Sequence, residues 1–188
     1  MKWILSITFI FLIFHSHAQE SVNPFDVQVS VTPIDGRFHI QASYSIPINI
    51  CNAYAFITDY EGTKNIPGIL EAKIISRVGN KVRVYRVVEE QALYFTIAMK
   101  SVTEFIETPN TSLVFEQISG DMKSYKGSWR LASDKGKTVF KYEAWVEPGS
   151  IIPSVVMEYF MKNSSRGRFE MMAQRASQHK SIEALACK

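Results

Sequence analysis

Residues 111–146 read TSLVFEQISGDMKSYKGSWRLASDKGKTVFKYEAWV, and apolar and polar side chains alternate along most of this stretch. Alternation with a period of two is typical of strands that bury one face. The predicted strands at 111–119, 124–132 and 137–146 are joined by connectors that contain Gly120-Asp121 and Asp134-Lys135-Gly136. Connectors this short cannot hold crossover helices, so the stretch predicts an antiparallel meander.

The same pattern continues through the preceding part of the chain. Two strands at 27–31 and 37–46 flank a turn that contains Gly36, which predicts a hairpin. Asn49 offers an N-cap for a short helix at 51–57, and a turn region follows to Gly68. Three further strands are predicted at 69–78, 81–91 and 93–106.

One long helix is predicted from about Pro153 to Ala186, because apolar residues recur there at helical spacing. Asn163, Ser164 and Gly167 interrupt its apolar face, and a glycine inside a helix costs about 1 kcal/mol relative to alanine. The interruption indicates either a kink with close packing or a surface glycine that the helix tolerates. The predicted apolar face comprises Ile152, Val156, Tyr159, Phe160, Met171, Ile182 and Leu185.

This order of elements predicts the α+β fold class. A curved antiparallel sheet around one long C-terminal helix, with two short helices near the N-terminus, buries the apolar faces of sheet and helix together. Where the sheet curls more than the helix fills, a cavity remains. We therefore expect an internal cavity between the Asp59–Gly68 turn region and the final helix.

The composition is that of one compact domain. The chain has 188 residues, of which 46% are hydrophobic and 21% charged, so it holds enough apolar material for a core and is not a disordered chain. Its formal net charge is +3, or +2 without residues 1–18, because those residues contribute one Lys and no acid. So small a basic excess does not indicate a nucleic-acid partner. We expect a single domain at 19–188.

Residues 1–18 have the layout of a secretory signal peptide. Met1-Lys2-Trp3 gives a positive start, Ile4 to Phe14 is an apolar run, and Ser16-His17-Ala18 ends on a small residue. An uncleaved membrane anchor is the alternative, but the run is short compared with the about 20 residues that span a bilayer. We expect cleavage after Ala18 and export to the periplasm or out of the cell.

Motifs that would indicate an enzyme or a cofactor site are missing from the sequence. Outside the predicted signal peptide the histidines are His39 and His179, which lack the spacing of metal ligands. The sequence contains no nucleophile elbow, zinc-protease motif or nucleotide-binding glycine loop. We therefore assign no catalytic residue, no metal and no cofactor, and we favour binding over catalysis.

Two groups of residues resemble segments of the START-like proteins, also called the SRPBCC superfamily. Asp59-Tyr60-Glu61 followed by Ile66-Pro67-Gly68 is similar to the "tDYe…iPg" segment, and Gly120-Asp121-Met122 with Gly127–Leu131 is similar to the "GDf…GxWxL" segment. The resemblance covers about Val27 to Ala176 and points to the polyketide cyclase/dehydrase branch, which is similar to coenzyme-Q-binding proteins. It implies a helix-grip fold with a hydrophobic ligand cavity, but no single chemistry.

Side chains on the inward faces are predicted to line this cavity. We take the Trp129/Leu131 face of its strand as inward and extend the alternation to the neighbouring strands. Residues at these spacings also describe an ordinary core, which is the alternative. The predicted ligand-binding residues are Phe56, Tyr60, Arg86, Phe95, Met99, Phe115, Trp129, Phe140, Tyr142, Met157 and Phe160.

Arg86 differs from the other predicted site residues because it brings a charge onto an apolar strand face. Val82, Val84 and Val88 share that face. A buried Arg requires a partner, since an unpaired charge in an apolar interior is costly. The partner is either a ligand carbonyl or carboxylate, or Glu104. A β-bulge that turns Arg86 outward is the remaining interpretation.

The final helix is basic, and this bears on partners. A basic helix either contacts anionic lipid headgroups transiently or is simply solvated. The partner that we expect is a hydrophobic small molecule, and we expect the chain to be a monomer. The basic residues of the helix are Lys162, Arg166, Arg168, Arg175 and Lys180.

A disulfide between Cys51 and Cys187 is expected from the resemblance together with export. In START-like folds the short helices form a cradle that receives the end of the long helix, and an exported chain reaches an oxidising compartment. The bond would close a loop of 135 intervening residues and contribute about 4–5 kcal/mol in the chain-entropy model. Two reduced thiols are the alternative.

The sequence thus predicts an exported binder or carrier of a lipid, quinone or polyketide-like compound. One alternative is a cyclase- or dehydratase-type enzyme that uses cavity Tyr, Arg or Glu side chains as acid and base. The other is an interaction module without a cavity.

Overall fold

The computed structural model describes residues 23–92, 94–150 and 154–179. The predicted signal peptide and Cys187 lie outside these residues. The helices of the described part are α1 (Ile50–Thr58), α2 (Ser154–Asn163) and α3 (Ser165–Gln178), with a 3₁₀-helical turn at Gly62–Asn65. Its strands are β1 (Gln28–Ile34), β2 (Arg37–Ile46), β3 (Ile69–Val78), β4 (Lys81–Ala92), β5 (Phe95–Thr108), β6 (Ser112–Gly120), β7 (Ser124–Asp134) and β8 (Lys137–Glu147).

These strands form one curved antiparallel sheet in the order β1-β2-β8-β7-β6-β5-β4-β3. The first hairpin therefore joins β8, and the predicted meander runs from β3 to β8. Asp35 and Gly36 have φ values of 48° and 74°, and Lys135 and Gly136 have 46° and 81°. Two-residue turns of type I′ require such positive values at both positions. The predicted hairpin, meander and α+β fold class are confirmed.

One face of the sheet packs against the helices. Trp129 and Leu131 are 8% and 7% exposed, and Phe140 and Ala144 are fully buried. Because side chains alternate between the faces of a strand, these values set the inward face of β7 and β8. The inward assignment from the Trp129/Leu131 pattern is confirmed.

The sheet is open, with β1 and β3 at its edges. The pairing of β3 with β4 shifts between Ile69 and Glu71 and again between Ile74 and Ser76. Two β-bulges therefore interrupt β3. At the other edge Pro33 lies within β1, where it offers no N–H to a further strand.

Helix α1 begins where the sequence predicted. The Asn49 side chain accepts a hydrogen bond from the Asn52 backbone N–H at 2.8 Å, which caps the first turn. Cys51 and Ala53 are buried against the sheet. At the end of the helix, the Asp59 carboxylate accepts a hydrogen bond from the Gly62 N–H at 2.9 Å.

The predicted final helix is present as two helices, α2 and α3, which are separated by the single residue Ser164. The kink that the sequence allowed near Asn163 and Ser164 is therefore confirmed. His179 ends α3 in an extended conformation, so the helix does not continue unbroken to Ala186, and residues 180–186 lie outside the described residues. Gly167 does not cause the break, because it is exposed and nothing lies within 4 Å of the position that a Cβ would occupy. No helix in the described ranges is long and apolar enough to span a membrane.

The buried face of these helices also differs from the predicted one. Tyr159 is 40% exposed, whereas Met157 and Met161 are buried. Val156 is buried and Phe160 packs against the core, as predicted, so the predicted face is wrong at Tyr159. Ile152, Ile182 and Leu185 lie outside the described residues. The buried residues of α2 and α3 are Val156, Met157, Met161, Ser165, Phe169, Ala173 and Ala176.

Candidate functional site

Two cavities lie between the sheet and the C-terminal helices. We name them the apolar cavity, of about 300 Å³, and the arginine cavity, of about 330 Å³. Trp129 from β7 and Met172 from α3 line both of them. These two side chains therefore stand at the boundary between the cavities.

The walls of the apolar cavity come from the inner face of the sheet and from α2 and α3. Met99, Trp129 and Val146 contribute from the strands, and Phe160 and Phe169 contribute from the helices. Between these apolar groups the cavity is also lined by polar residues. They are Glu90, Lys100, Ser101, Gln117, Tyr125, Tyr142, Ser165 and Arg168.

The arginine cavity lies between the turn region after α1 and the helix α3. Phe56, Asp59 and Ile66 line one side, and Arg175 and His179 line the other. This is the position that the sequence predicted for an internal cavity. The ring of His179 contacts Phe56 edge to face, with 5.6 Å between the ring centres.

Arg86 points inward and lines the arginine cavity. The outward-turning bulge is wrong, because Arg86 pairs regularly with Ala72 and the two bulges lie in β3, on either side of that pair. The pairing with Glu104 is also wrong. Glu104 lies on the outer face and forms ion pairs with Arg83 at 2.9 Å and Lys81 at 3.9 Å.

The Arg86 guanidinium has no counter-charge in the described part of the chain. Its Nε is buried without a hydrogen-bond partner, and its carbon atom Cζ lies 5.5 Å from the centre of the Phe105 ring. Burial lowers the pKa of Arg86, and the nearby Tyr125, Tyr60 and Tyr142 only partly oppose this effect. Most buried polar groups in proteins are paired, so Arg86 is the main anomaly of the interior.

A pair of tyrosines lies close to Arg86. The hydroxyl oxygens of Tyr125 and Tyr142 are 3.0 Å apart, so one hydroxyl donates to the other. Burial raises the pKa of both hydroxyls, which keeps them protonated. Two hydroxyls carry two hydrogens and their mutual bond uses one, so the pair has one O–H left to donate.

The structure brings together some of the predicted ligand-binding residues but not all of them. Met99, Trp129, Tyr142 and Phe160 line the apolar cavity, and Phe56, Arg86 and Trp129 line the arginine cavity. The side chain of Phe95 lies outside the described residues. Four others are buried in the core and line neither cavity: Tyr60, Phe115, Phe140 and Met157.

Three of these side chains pack against residues that line the cavities: Phe140 against Phe56, Phe115 against Tyr125, and Tyr60 against Phe105. Phe140 stacks on Tyr44 with 4.7 Å between the ring centres. Phe115 lies 5.0 Å from the ring centre of Tyr125. The Tyr60 hydroxyl donates to Glu107 at 2.9 Å, and Glu107 also binds Arg77 at 3.0 Å.

Sequence reasoning missed several cavity residues. Tyr125 shares the inward face with Trp129, so the period-two pattern of β7 was a signal that could have found it. Gln117 carried no such signal. Its Nε2 donates to the Met122 carbonyl at 2.7 Å, and its Oε1 is buried without a partner among the described residues.

An ion pair ties α3 to β4 beside the apolar cavity. Arg168 donates to Glu90, and its Cζ lies 5.0 Å from the centre of the Phe160 ring. Burial raises the pKa of Glu90, while Arg168 acts in the opposite direction. Arg168 therefore offsets part of the cost of burying the Glu90 carboxylate.

The basic residues of the final helix are largely used within the protein. Arg166 binds Glu170 at 2.9 Å, Arg168 binds Glu90, and Arg175 donates to the Asn65 carbonyl. The side chains of Lys162 and Lys180 lie outside the described ones. We therefore do not propose a membrane contact for this helix. Within the described ranges, no group of three or more His, Cys, Asp or Glu side chains could hold a metal ion.

A helix-grip sheet that closes over internal cavities defines a class of ligand-binding folds. The chain belongs to the polyketide cyclase/dehydrase and lipid transport family, whose sequence profile matches residues 46–171. The START-like resemblance is confirmed by this match together with the solved structures that are similar.

Three of those structures cover most of the chain. A STAR-related lipid transfer protein from Xanthomonas axonopodis is 12% identical with a TM-score of 0.63, and 80% of this chain covers 98% of that chain. A START superfamily protein from Mycobacterium smegmatis is 13% identical with a TM-score of 0.62, and the match covers 76% of this chain and 99% of that chain. The Zhui aromatase/cyclase from Streptomyces sp. R1128 is 13% identical with a TM-score of 0.53, and the match covers 80% of this chain and 92% of that chain. Identities this low show the fold alone. No curated protein matches the sequence significantly.

Proposed function

We propose that this protein is an exported binder or carrier of a hydrophobic small molecule that has a carboxylate or carbonyl group. The observation that carries the proposal is Arg86, a partly buried cation at the wall of a cavity, whose buried Nε has no hydrogen-bond partner and which has no counter-charge among the described residues. A ligand oxygen would supply the missing partner, because charge-assisted hydrogen bonds are the strong ones.

The apolar walls supply the remaining affinity. Contact of a ligand with Phe56, Phe105 and Trp129, which line the arginine cavity together with Arg86, would contribute about 25 cal/mol for each Å² of apolar surface buried. Cavities of about 300 Å³ and more are the size that small-molecule ligands occupy. These cavities speak against the alternative of an interaction module with a filled interior.

The names of two similar structures support the ligand class. One is a lipid transfer protein and another is an aromatase/cyclase. We therefore propose a lipid, a quinone or a polyketide-like compound as the ligand. Native mass spectrometry of the protein purified from its own host, followed by lipid extraction, tests this directly, and a protein that carries no hydrophobic molecule contradicts the proposal.

Arg86→Met provides a sharper test because its two expected effects have opposite signs. Removing an unpaired, partly buried charge should raise the free energy of unfolding by about 1 kcal/mol. The affinity for dodecanoic acid should fall about 10- to 100-fold, because a charge-assisted hydrogen bond is lost. Denaturant unfolding and calorimetric titration measure the two effects.

Arg83→Met is the matched control. Arg83 lies on the outer face of the same strand and pairs with Glu104, so its loss should leave the affinity for dodecanoic acid unchanged. If Arg86→Met destabilises the protein and binds the acid normally, Arg86 has a structural role and the ligand proposal loses its main support.

A second candidate function is a cyclase- or dehydratase-type enzyme, and the tyrosine pair favours it. The spare hydroxyl of Tyr125 and Tyr142 could donate to a substrate carbonyl in the apolar cavity and stabilise negative charge on its oxygen. Arg86 could do the same for a carbonyl in the arginine cavity. Tyr142→Phe separates the two functions. In an enzyme it should abolish product formation while binding persists, whereas in a carrier no product forms in either protein.

Export is a separate part of the proposal. It rests on the signal-peptide layout of residues 1–18. The mature protein should begin at Gln19, and N-terminal sequencing of the protein from cell fractions of its host tests this. An intact Met1 in the cytoplasmic fraction contradicts it.

A further inference from the structure

The outer face of the sheet carries a trough that the internal cavities do not explain. It has a volume of about 490 Å³ and crosses β1, β2, β8 and β7 on the side away from α2 and α3. Short serine side chains lie between long polar ones, and this difference in length makes the depression. Two cross-strand rows form it, Gln28–Ser43–Lys141–Arg130 and Ser30–Gln41–Glu143–Ser128.

Two like charges face each other in this trough. Lys141 and Arg130 are direct cross-strand partners, and both are exposed. Like charges in this position destabilise a sheet. Neither cation forms an ion pair with any residue in the described ranges. The acid that lines the trough, Glu143, bonds to His39 at 2.9 Å instead.

We infer that this trough binds a soluble phosphate ester, with the phosphate between Arg130 and Lys141. An Arg guanidinium donates to phosphate oxygens in a bidentate manner, and a Lys ammonium adds a second positive charge. The hydroxyls of Ser43 and Ser128 and the amides of Gln28 and Gln41 would bind the hydroxyl-bearing remainder of the ligand.

The lining favours a soluble ligand over a membrane surface. The outward side chains of the trough are all polar, so no apolar group is available to enter a bilayer. The trough also lies on the opposite face of the sheet from the cavities, so the inference is independent of the proposed function.

Thermal unfolding with glycerol phosphate, inorganic phosphate, glycerol or chloride at matched ionic strength tests the inference. Both phosphates should raise the melting temperature of the unchanged protein, glycerol phosphate more than inorganic phosphate, and glycerol should not. Arg130→Gln and Lys141→Gln should each lower the affinity for glycerol phosphate about tenfold or more. Lys126→Gln is the matched control, since Lys126 lies on the same face of β7 outside the trough.

The two trough variants should also melt about 1–4 °C higher than the unchanged protein when phosphate is absent, because the like-charge repulsion is gone. This gain shows that they fold. Equal phosphate effects in all variants, or no effect beyond that of chloride, overturn the inference. A further outcome concerns phosphatidylglycerol vesicles. If the unchanged protein sediments with these vesicles and the two trough variants do not, the trough binds a lipid surface, and the inference of a soluble ligand is wrong.

Discussion

The fluorescence of Trp129 can report on ligand binding in both cavities. This side chain lines each of them and is 8% exposed. Outside the predicted signal peptide the other tryptophan is Trp145. Trp145 lies on the outer face, where it stacks on His39 with 4.3 Å between the ring centres.

This arrangement predicts a selective fluorescence signal. In a Trp145→Phe variant, addition of a hydrophobic probe such as dodecanoic acid should shift or quench the tryptophan emission, because Trp129 contacts the ligand. In the matched Trp129→Phe variant the emission of Trp145 should stay constant. A response from Trp145 alone would place the probe outside the cavities.

At the scale of residues, the sequence predicted the faces of strands better than the contacts of side chains. A period of two was enough to turn Trp129 and Phe140 inward, but it left open on which side Arg86 lies. It could not show that Phe140 is covered by Tyr44 while Tyr142 borders a cavity, because that difference depends on packing across strands that are distant in sequence.

At the scale of elements, the Arg168–Glu90 ion pair is the polar link between α3 and the sheet beside the apolar cavity. Replacement by Arg168→Met should lower the free energy of unfolding by about 1–2 kcal/mol at neutral pH. This is less than for a fully buried pair, because the Arg168 side chain is 31% exposed. Denaturant unfolding measures the change.

The stability that Arg168→Met loses should depend on pH in a defined direction. Burial raises the pKa of Glu90 in the folded state, so the stability contribution of this carboxyl is greatest in acid and falls as the pH rises through that pKa. Without Arg168 the pKa rises further, and the loss should therefore be larger at neutral than at mildly acidic pH. Arg166→Met is the control, because its exposed pair with Glu170 is worth less than about 0.5 kcal/mol at either pH. An equal loss at both pH values would show that Glu90 is not the group involved.

The break between α2 and α3 was predictable as a region of the chain but not as a single residue. The sequence indicated an interruption near Asn163, Ser164 and Gly167, and the structure places it at Ser164. Helical propensity favoured Gly167 as the cause. Backbone hydrogen bonds continue across the break, from the Ser164 N–H to the Phe160 carbonyl at 2.8 Å and from the Arg168 N–H to the Ser164 carbonyl at 3.2 Å, so it is a kink of one residue.

At the scale of the whole molecule, the disulfide between Cys51 and Cys187 stays a prediction, because Cys187 lies outside the described residues. For the exported protein, intact mass should rise by two hydrogen masses on reduction, and the mass should correspond to a chain that begins at Gln19. Cys51→Ser should lower the free energy of unfolding by up to about 4–5 kcal/mol. An unchanged mass on reduction contradicts the bond.

The overall fold was predictable because many weak signals agreed. Alternating strands, short connectors and two glycine turns each pointed to an antiparallel sheet, and the motifs around Tyr60 and Trp129 pointed to a helix-grip fold. The cavities were predictable only as a general region. Their division by Trp129 and Met172 depends on volumes that remain after packing, and no local pattern encodes these volumes.

The interruptions of the two sheet edges have a consequence for self-association. Amyloid growth and domain swapping need a long, flat strand with a regular row of free backbone groups. The two bulges break that row along β3, and Pro33 removes a donor from β1. A large open sheet can in this way remain resistant to fibril formation without closing into a barrel.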